Sequence, residues 1–260
     1  MLSIVVGLLL LIGILILVYM ILEAFAYRVR RVDIDFHDFP QEQMRVFFIS
    51  DIHNRTVTEK LIKMIPEKID IVIVGGDLTD KRVPFSRVEQ NITQLKRIAP
   101  VYFVWGNNDY RVDYKHLDAL LLKLGVTILD NTSVQLETGN GEKIIIVGID
   151  DMSLRRDRLD LALQDAQELG EGFRILISHN PRAIKKIKPA DQIKFILSGH
   201  THGGQIRLFG WGLYEKGSLI EEDQVKQLVS NGFGTSKIPL RLGAPAETHV
   251  ITLRKQKPNI

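Results

Sequence analysis

The sequence predicts an α/β protein carried behind one N-terminal membrane-spanning helix. Three observations give that class. Short apolar runs alternate with amphipathic segments through the first half of the chain, strand-like runs dominate the second half, and an uncharged run opens the sequence. At 260 residues the chain has room for a sizeable core, and 45% hydrophobic with 25% charged residues is ordinary for a folded protein. The net charge of +3 is small and the folded part holds no dense Lys/Arg block, so no nucleic-acid partner is expected. Cysteine is absent, which removes disulfides and thiolate metal sites; any metal must sit on His, Asp, Glu or Asn.

The uncharged run is Leu2 to Leu22. At about 1.5 Å per residue it matches the roughly 30 Å of bilayer hydrocarbon. A cleaved signal peptide competes, since Ala24-Phe25-Ala26 offers a small-x-small site. Against it, no basic segment precedes the run, and the run exceeds the usual ~7–15 apolar residues. The expected organisation is an anchor over 1–26, a linker over 27–44 and a folded domain over 45–260. Arg28, Arg30 and Arg31 follow the anchor directly, so the positive-inside rule places a single-pass protein in the cell membrane with its domain in the cytoplasm.

Beyond the linker, Arg45–Ser50 reads as the first core strand and leads into Asp51-Ile52-His53. Thr58–Ile69 has helical spacing, with Pro66 expected to break it near its end. Asp70–Gly75 is a second strand running into Gly76-Asp77, and Phe85–Ile98 is an amphipathic helix. Val101–Trp105 is a third strand, ending at Gly106-Asn107-Asn108-Asp109; Tyr114–Leu124 follows as a helix stopped by Gly125. This order points to a parallel sheet covered by helices, whose ligand site forms outside the carboxyl ends of the strands.

The second half continues with strands at Val126–Leu129, Ser133–Thr138 and Lys143–Ile149, the last two joined by the hairpin signal Gly139-Asn140-Gly141. A helix is expected over Arg158–Leu169. Phe173–Ile177 is a strand ending in Ser178-His179-Asn180-Pro181, and Ile193–Leu197 delivers Ser198-Gly199-His200-Thr201-His202-Gly203-Gly204-Gln205. Ala246–Arg254 closes the fold as an alternating strand.

Five strand ends therefore carry candidate ligands: Asp51 and His53, Asp77, Asn107, His179, then His200 and His202. Singly, each has an ordinary structural explanation, because Asp caps helices, Gly-Asp makes turns and Asn tolerates left-handed backbone. Their succession after five apolar strands is what points to a metal site. Imidazole and carboxylate are hard-to-borderline donors that hold transition ions without sulfur.

These blocks resemble the signature motifs of the calcineurin-like metallophosphoesterases: Asp51-x-His53, Gly76-Asp77, Gly106-Asn107-Asn108-Asp109, Ser178-His179 and Gly199-His200-x-His202. The wording Gly-His-Thr-His-Gly-Gly-Gln is similar to the bacterial membrane-anchored branch. The resemblance implies a two-sheet β core flanked by helices, an α/β/β/α arrangement. It also implies two divalent ions (Mn, Fe, Zn or Co), one held by Asp51, His53, Asp77 and His202 and the other by Asp77, Asn107, His179 and His200. A hydroxide bridging the two would attack a phosphomonoester or phosphodiester in line.

One position departs from the family pattern. Where the family usually carries a histidine that protonates the leaving oxygen or stabilises the phosphoryl charge, this chain has Asn108. An amide donates a hydrogen bond but is no general acid near pH 7. Asp109, which in the family helps orient that histidine, is retained, so Asn108 and Asp109 are the candidate catalytic residues. The alternatives are an esterase relying on its metals, a replacement histidine from a loop, and a metal-binding scaffold or regulatory protein with little turnover. Lastly, Phe209-Gly210-Trp211-Gly212-Leu213-Tyr214 reads either as a hairpin tip packed on the domain or as an aromatic lip facing membrane, the second suiting a lipid-linked phosphoester.

Overall fold

The computed structural model describes residues 1–65, 68–139 and 141–256. Helix α1 (Leu2–Phe25) is followed by β1 (Val29–Phe36), β2 (Gln43–Ile49), α2 (Glu59–Ile62), β3 (Ile71–Val74), α3 (Phe85–Lys96), β4 (Val101–Phe103), α4 (Tyr114–Lys123) and β5 (Thr127–Ile128). Then come β6 (Thr132–Glu137), β7 (Lys143–Gly148), α5 (Leu159–Glu168), β8 (Phe173–Ile177), β9 (Ile193–Ser198), β10 (Leu219–Glu222), β11 (Val225–Val229) and β12 (Thr248–Lys255).

The strands form two six-stranded sheets, ordered β1-β12-β2-β3-β4-β5 and β10-β11-β9-β8-β7-β6. In the first, β2, β3, β4 and β5 run parallel, as the strand-helix alternation requires, and β12 enters antiparallel to β2. In the second, β7, β8, β9 and β11 are parallel, with β6 and β10 antiparallel at the edges. Alternate side chains of each strand leave opposite faces. Thus Val46 and Phe48 of β2 meet Ile144, Ile175, Phe195 and Leu197 between the sheets. Their neighbours Phe47 and Ile49 pack outward with α3 and α4 residues such as Ile92 and Leu121, and Ile145, Leu176 and Ile196 pack outward with Ala162 and Ala166 of α5. The result is α/β/β/α layering.

Three expectations change. The 27–44 linker is largely structured, because β1 pairs in parallel with β12 over its whole length. The alternation of apolar and acidic residues there is the period of an edge strand: Ile34 and Phe36 are buried, while Asp33 and Asp35 bond Arg254. The helix expected over Thr58–Ile69 is one turn long, and its continuation loosens into the i→i+3 bonds Met64 N–Leu61 O and Ile65 N–Ile62 O. Pro66, expected to end it, and Asn140, expected in the hairpin turn, lie outside the described residues, although β6 and β7 pair antiparallel on either side of that turn. Strands β10 and β11 were not anticipated; β10 is exposed along its length and has no alternation to betray it.

Helix α1 is long and apolar enough to cross a membrane, and nearly all of it is exposed. Its carboxyl end is fastened to the domain. Arg55, buried, donates to the carbonyls of Phe25 (2.9 Å), Ala26 (3.1 Å) and Phe233 (2.6 Å), and the amide of Arg241 donates to Met20 O at 3.0 Å.

Candidate metal centre

Both sheets present the carboxyl ends of their parallel strands to one region. Asp51 follows β2, Asp77 follows β3, Asn107 follows β4, His179 follows β8, and His200 and His202 follow β9. Of the seven candidate ligands, Asp51, His53, Asp77, His200 and His202 have left-handed φ between 48° and 72°. Each such residue costs about 1–2 kcal/mol relative to ordinary backbone, so the clustering marks strain held for a purpose. Gly76, itself at φ 83°, lets the β3 loop run against His179, whose Nδ1 would lie 2.6 Å from an added Cβ.

Two donor groups result. Asp51, His53 and His202 offer ligand atoms within 4.8 Å of one another, and so do Asp51, Asp77 and His179. Nε2 of His53 lies 3.1 Å from Nε2 of His202 and 3.7 Å from Asp77 Oδ2. On the other side, the same Asp77 Oδ2 is 3.4 Å from His179 Nε2, which is 3.1 Å from His200 Nδ1. Asp77 thus faces imidazoles of both groups. Asn107 contributes a buried Oδ1 without a hydrogen-bond partner among the described residues. All seven candidates therefore fall in one neighbourhood, five of them together in the two donor groups.

The donor set fits cations. Nδ1 of His179 lies 2.8 Å from Gly75 O and donates to it, which leaves Nε2 as the ring atom turned toward the site. Burial opposes charge on His179, yet Asp77 and then Asp51 push it up to about 10. Burial likewise would raise Asp77, but His179 above all, with His53 and the Asn108 amide, holds it far below the ordinary carboxylate range. His202 is held neutral, lowered to about 3, by burial first. Two buried carboxylates packed against four imidazoles make a set whose charge divalent cations balance while leaving every imidazole neutral.

Asn108 and Asp109 take different places from those the resemblance implies. Asn108 gives its backbone N–H to Asp77 Oδ1 (2.7 Å) and its side-chain amide to Asp77 Oδ2 (2.6 Å). Asp109 is buried and accepts from the amides of Asp77 (2.8 Å), Gly106 (2.9 Å) and Thr79 (3.0 Å). It ties the β3 and β4 loops together, which positions Asp77 and Asn107, rather than orienting the side chain at 108. The other three histidines stand apart from the ligand groups, as their positions in the sequence suggested.

Sequence reasoning missed Arg241 and Asp80. Arg241 is fully buried; its guanidinium lies 3.2 Å from His202 Nδ1 and donates to the carbonyls of Asn231, Gly232, Gly234 and Ala244. Asp80 Oδ2 is 3.8 Å from His53 Nδ1 and is itself bonded by Arg82 at 2.9 Å. Asp80 could have been found three residues after Asp77, whereas nothing local marks Arg241 as buried.

Two clefts of about 400 Å³ and 390 Å³ adjoin here. They share Asn108, Arg111, Ser236 and Lys237; one continues to His53, Asp80 and Arg82, the other to Asp77, His200, Leu213 and Tyr214. Phe209 and Trp211 stand beside the second cleft's lip fully or largely exposed (102% and 84%), on a tight turn closed by Leu208 and Trp211 backbone bonds. The turn is present, but its side chains are not packed on the domain.

The comparisons agree with this geometry. The chain is 43% identical over 225 residues to the uncharacterized protein YpbG of Bacillus subtilis, covering 84% of this chain and 86% of that one. It is 27% identical to the uncharacterized metallophosphoesterase YkoQ of the same organism, covering 80% and 82%. It is also 30% identical to a transmembrane protein with metallophosphoesterase domain from Danio rerio, over 82% of this chain and 53% of the longer relative. Residues 44–204 match the calcineurin-like phosphoesterase family. With its metal-capable histidines and aspartates at the ends of two stacked sheets, the chain belongs to the calcineurin-like phosphoesterases, metal-dependent hydrolases of phosphoric esters.

Proposed function

We propose that this chain is a membrane-anchored phosphoesterase that uses two divalent ions, drawn from Mn, Fe, Zn and Co, to hydrolyse a phosphomonoester or phosphodiester. The observation that carries the reading is Asp77, a buried carboxylate with His53 on one side and His179 on the other. Asp51, His53, Asp77 and His202 would hold one ion, and Asp77, Asn107, His179 and His200 the second. When bound, such a pair neutralises phosphoryl oxygens and supplies the nucleophile at neutral pH. The chain's own residues do the rest. Asn108 and Asp109 fix the orientation of Asp77, Arg241 fixes the loop of His202, and Arg111 and Lys237 give the clefts a positive wall for an anionic substrate.

Anchoring through α1 and a cytoplasmic domain belong to the same reading. The bonds from Arg55 and Arg241 support the anchoring, since they hold the ligand loop Asp51–Arg55 and the Leu240–Gly243 segment against the carboxyl-terminal part of α1, while the cytoplasmic side rests on Arg28, Arg30 and Arg31 after the helix. Exposed Phe209, Trp211 and Leu213 then favour a lipid-linked phosphoester, whose acyl part would lie along the apolar side of the cleft while its headgroup meets the cations.

Purified full-length protein with Mn²⁺ should hydrolyse bis-p-nitrophenyl phosphate or p-nitrophenyl phosphate. Metal-loaded protein that turns over neither would favour the scaffold reading.

A further inference from the structure

A second concentration of positive charge lies outside the metal centre, just past α1. There a cavity of about 200 Å³ opens between the edges of the two sheets, with β1 on one side and β10 and β11 on the other. Its wall carries Arg30, Arg31 and Lys216 against the single carboxylate of Glu247. That carboxylate is already bonded. Asn231 gives its backbone and side-chain N–H groups to Oε1 (3.0 and 2.7 Å), and Arg30 Nε meets Oε2 at 3.3 Å. The two Nη groups of Arg30 and the ammonium of Lys216 have no partner among the described residues. Lys216 stands on fixed backbone, because Gly217 donates to Asn231 Oδ1 at 2.8 Å. A Cβ on Gly217 would lie 2.5 Å from Val229 O, so glycine is what lets this segment close against β11. On the inner wall His249 is 5% exposed; its Nε2 is 3.8 Å from Glu247 Oε1, and its Nδ1 has no hydrogen-bond partner among the described residues. Buried polar atoms are nearly always bonded, so this nitrogen marks a place for a group that enters the cavity.

The position of the cavity indicates the ligand. Arg30 is the second residue of β1, which starts at Val29 just after α1 ends at Phe25. Asn231, on the same wall, accepts from the Arg241 guanidinium through its carbonyl (2.7 Å), and the amide of Arg241 is bonded to Met20 O of α1. Basic pockets beside membrane helices suit anionic headgroups, and a phosphate offers charge to Arg30 and Lys216 and acceptor oxygens to an imidazole N–H. Resting on the anchored reading above, we propose that this cavity binds the phosphate of an anionic phospholipid, with Arg30 and Lys216 pairing its charge and His249 donating from Nδ1. The choline of a zwitterionic lipid would set a further cation among these, so the site selects headgroups of net negative charge. The cavity shares no residue with either cleft of the metal centre, so the lipid fixes how the domain sits on the leaflet and takes no part in hydrolysis.

For the test, full-length protein in dodecyl maltoside is titrated with dioleoyl phosphatidylglycerol or dioleoyl phosphatidylcholine, and bound lipid is counted by native mass spectrometry. The first phosphatidylglycerol should bind at least about tenfold more tightly than phosphatidylcholine. Arg30→Gln combined with Lys216→Gln should weaken phosphatidylglycerol about 30-fold, roughly fivefold for each charge, and leave phosphatidylcholine unchanged. Lys216→Gln alone removes no bond within the protein, so its loss of about fivefold reads the site without disturbing the fold. His249→Phe should weaken phosphatidylglycerol about tenfold. In each variant, turnover of bis-p-nitrophenyl phosphate with Mn²⁺ should stay within about twofold of wild type. Equal affinity for the two lipids, or phosphatidylglycerol binding that the Lys216 and double variants leave unchanged, would overturn the site. Displacement of the lipid by millimolar inorganic phosphate would assign the cavity to free phosphate and overturn the lipid as its occupant. Recovery of the chain in the soluble fraction without detergent would instead overturn the anchored reading on which the proposal rests.

Discussion

Asp109 is the residue whose removal the structure converts most directly into a number. Its two oxygens accept three buried backbone amides, from Asp77, Gly106 and Thr79, and no solvent reaches it. Asp109→Ala leaves those donors unpaired at about 1–2 kcal/mol each after relaxation, hence about 3–6 kcal/mol together. A domain of this size loses about 2–4 °C of Tm per kcal/mol, so the thermal midpoint of the full-length protein in detergent should fall by roughly 10–20 °C. Asp109→Asn keeps one acceptor oxygen and should lose about half as much. Burial first, and then Asp77, hold the Asp109 pKa well above the usual carboxylate range, so the neutral isostere gives up little charge stabilisation. At a temperature where both variants are folded, metal affinity should fall as well, because Asp77 and Asn107 depend on the loop contact. An Asp109→Ala protein melting within about 2 °C of wild type, with metal affinity intact, would refute the reasoning.

Two further outcomes follow from groups outside the ligand set. His249 is buried beside Phe48 and Glu247, and burial, the largest effect, lowers its pKa to about 4. A depressed folded-state pKa gives stability that is present above the unfolded value of about 6.5 and is lost as pH falls toward 4, here about 3 kcal/mol. Urea unfolding of His249→Phe between pH 7 and 4.5 should therefore show a loss about 2–3 kcal/mol smaller than wild type, and an unchanged slope would contradict the assignment. Replacing Trp211 and Tyr214 together with Ala should lower turnover of a vesicle-borne phosphoester about tenfold more than turnover of bis-p-nitrophenyl phosphate. Equal losses on the two would remove the lipid-facing role of the lip.

Much of this was legible in the sequence because the fold places its chemistry at strand ends. The runs at Arg45–Ser50, Asp70–Gly75, Val101–Trp105, Phe173–Ile177 and Ile193–Leu197 each correspond to a parallel strand within a few residues at the ends. The residues after them meet because both sheets point their carboxyl ends the same way. Edge strands were harder to read. In β1 the alternation of apolar and acidic residues reads locally as a linker, since Asp33 and Asp35 are answered by Arg254, more than 200 residues away. Long-range partners also explain why Arg241 was overlooked: its burial depends on carbonyls at 231, 232 and 234 and on His202, none of which its neighbours announce. The same reason separates the expected from the observed place of Asp109, whose oxygens are claimed by backbone amides that no side-chain pattern reveals.

Two-metal chemistry in this fold requires Asp77 to be shared between two ions. Metal content of the purified full-length protein, measured by inductively coupled plasma mass spectrometry after dialysis against trace Mn²⁺ and Zn²⁺, tests that claim directly. Two ions per chain in wild type, falling to one or fewer in a folded Asp77→Asn variant, is the expected result. A wild-type protein that binds a single ion, or an Asp77→Asn variant that retains two, would contradict it.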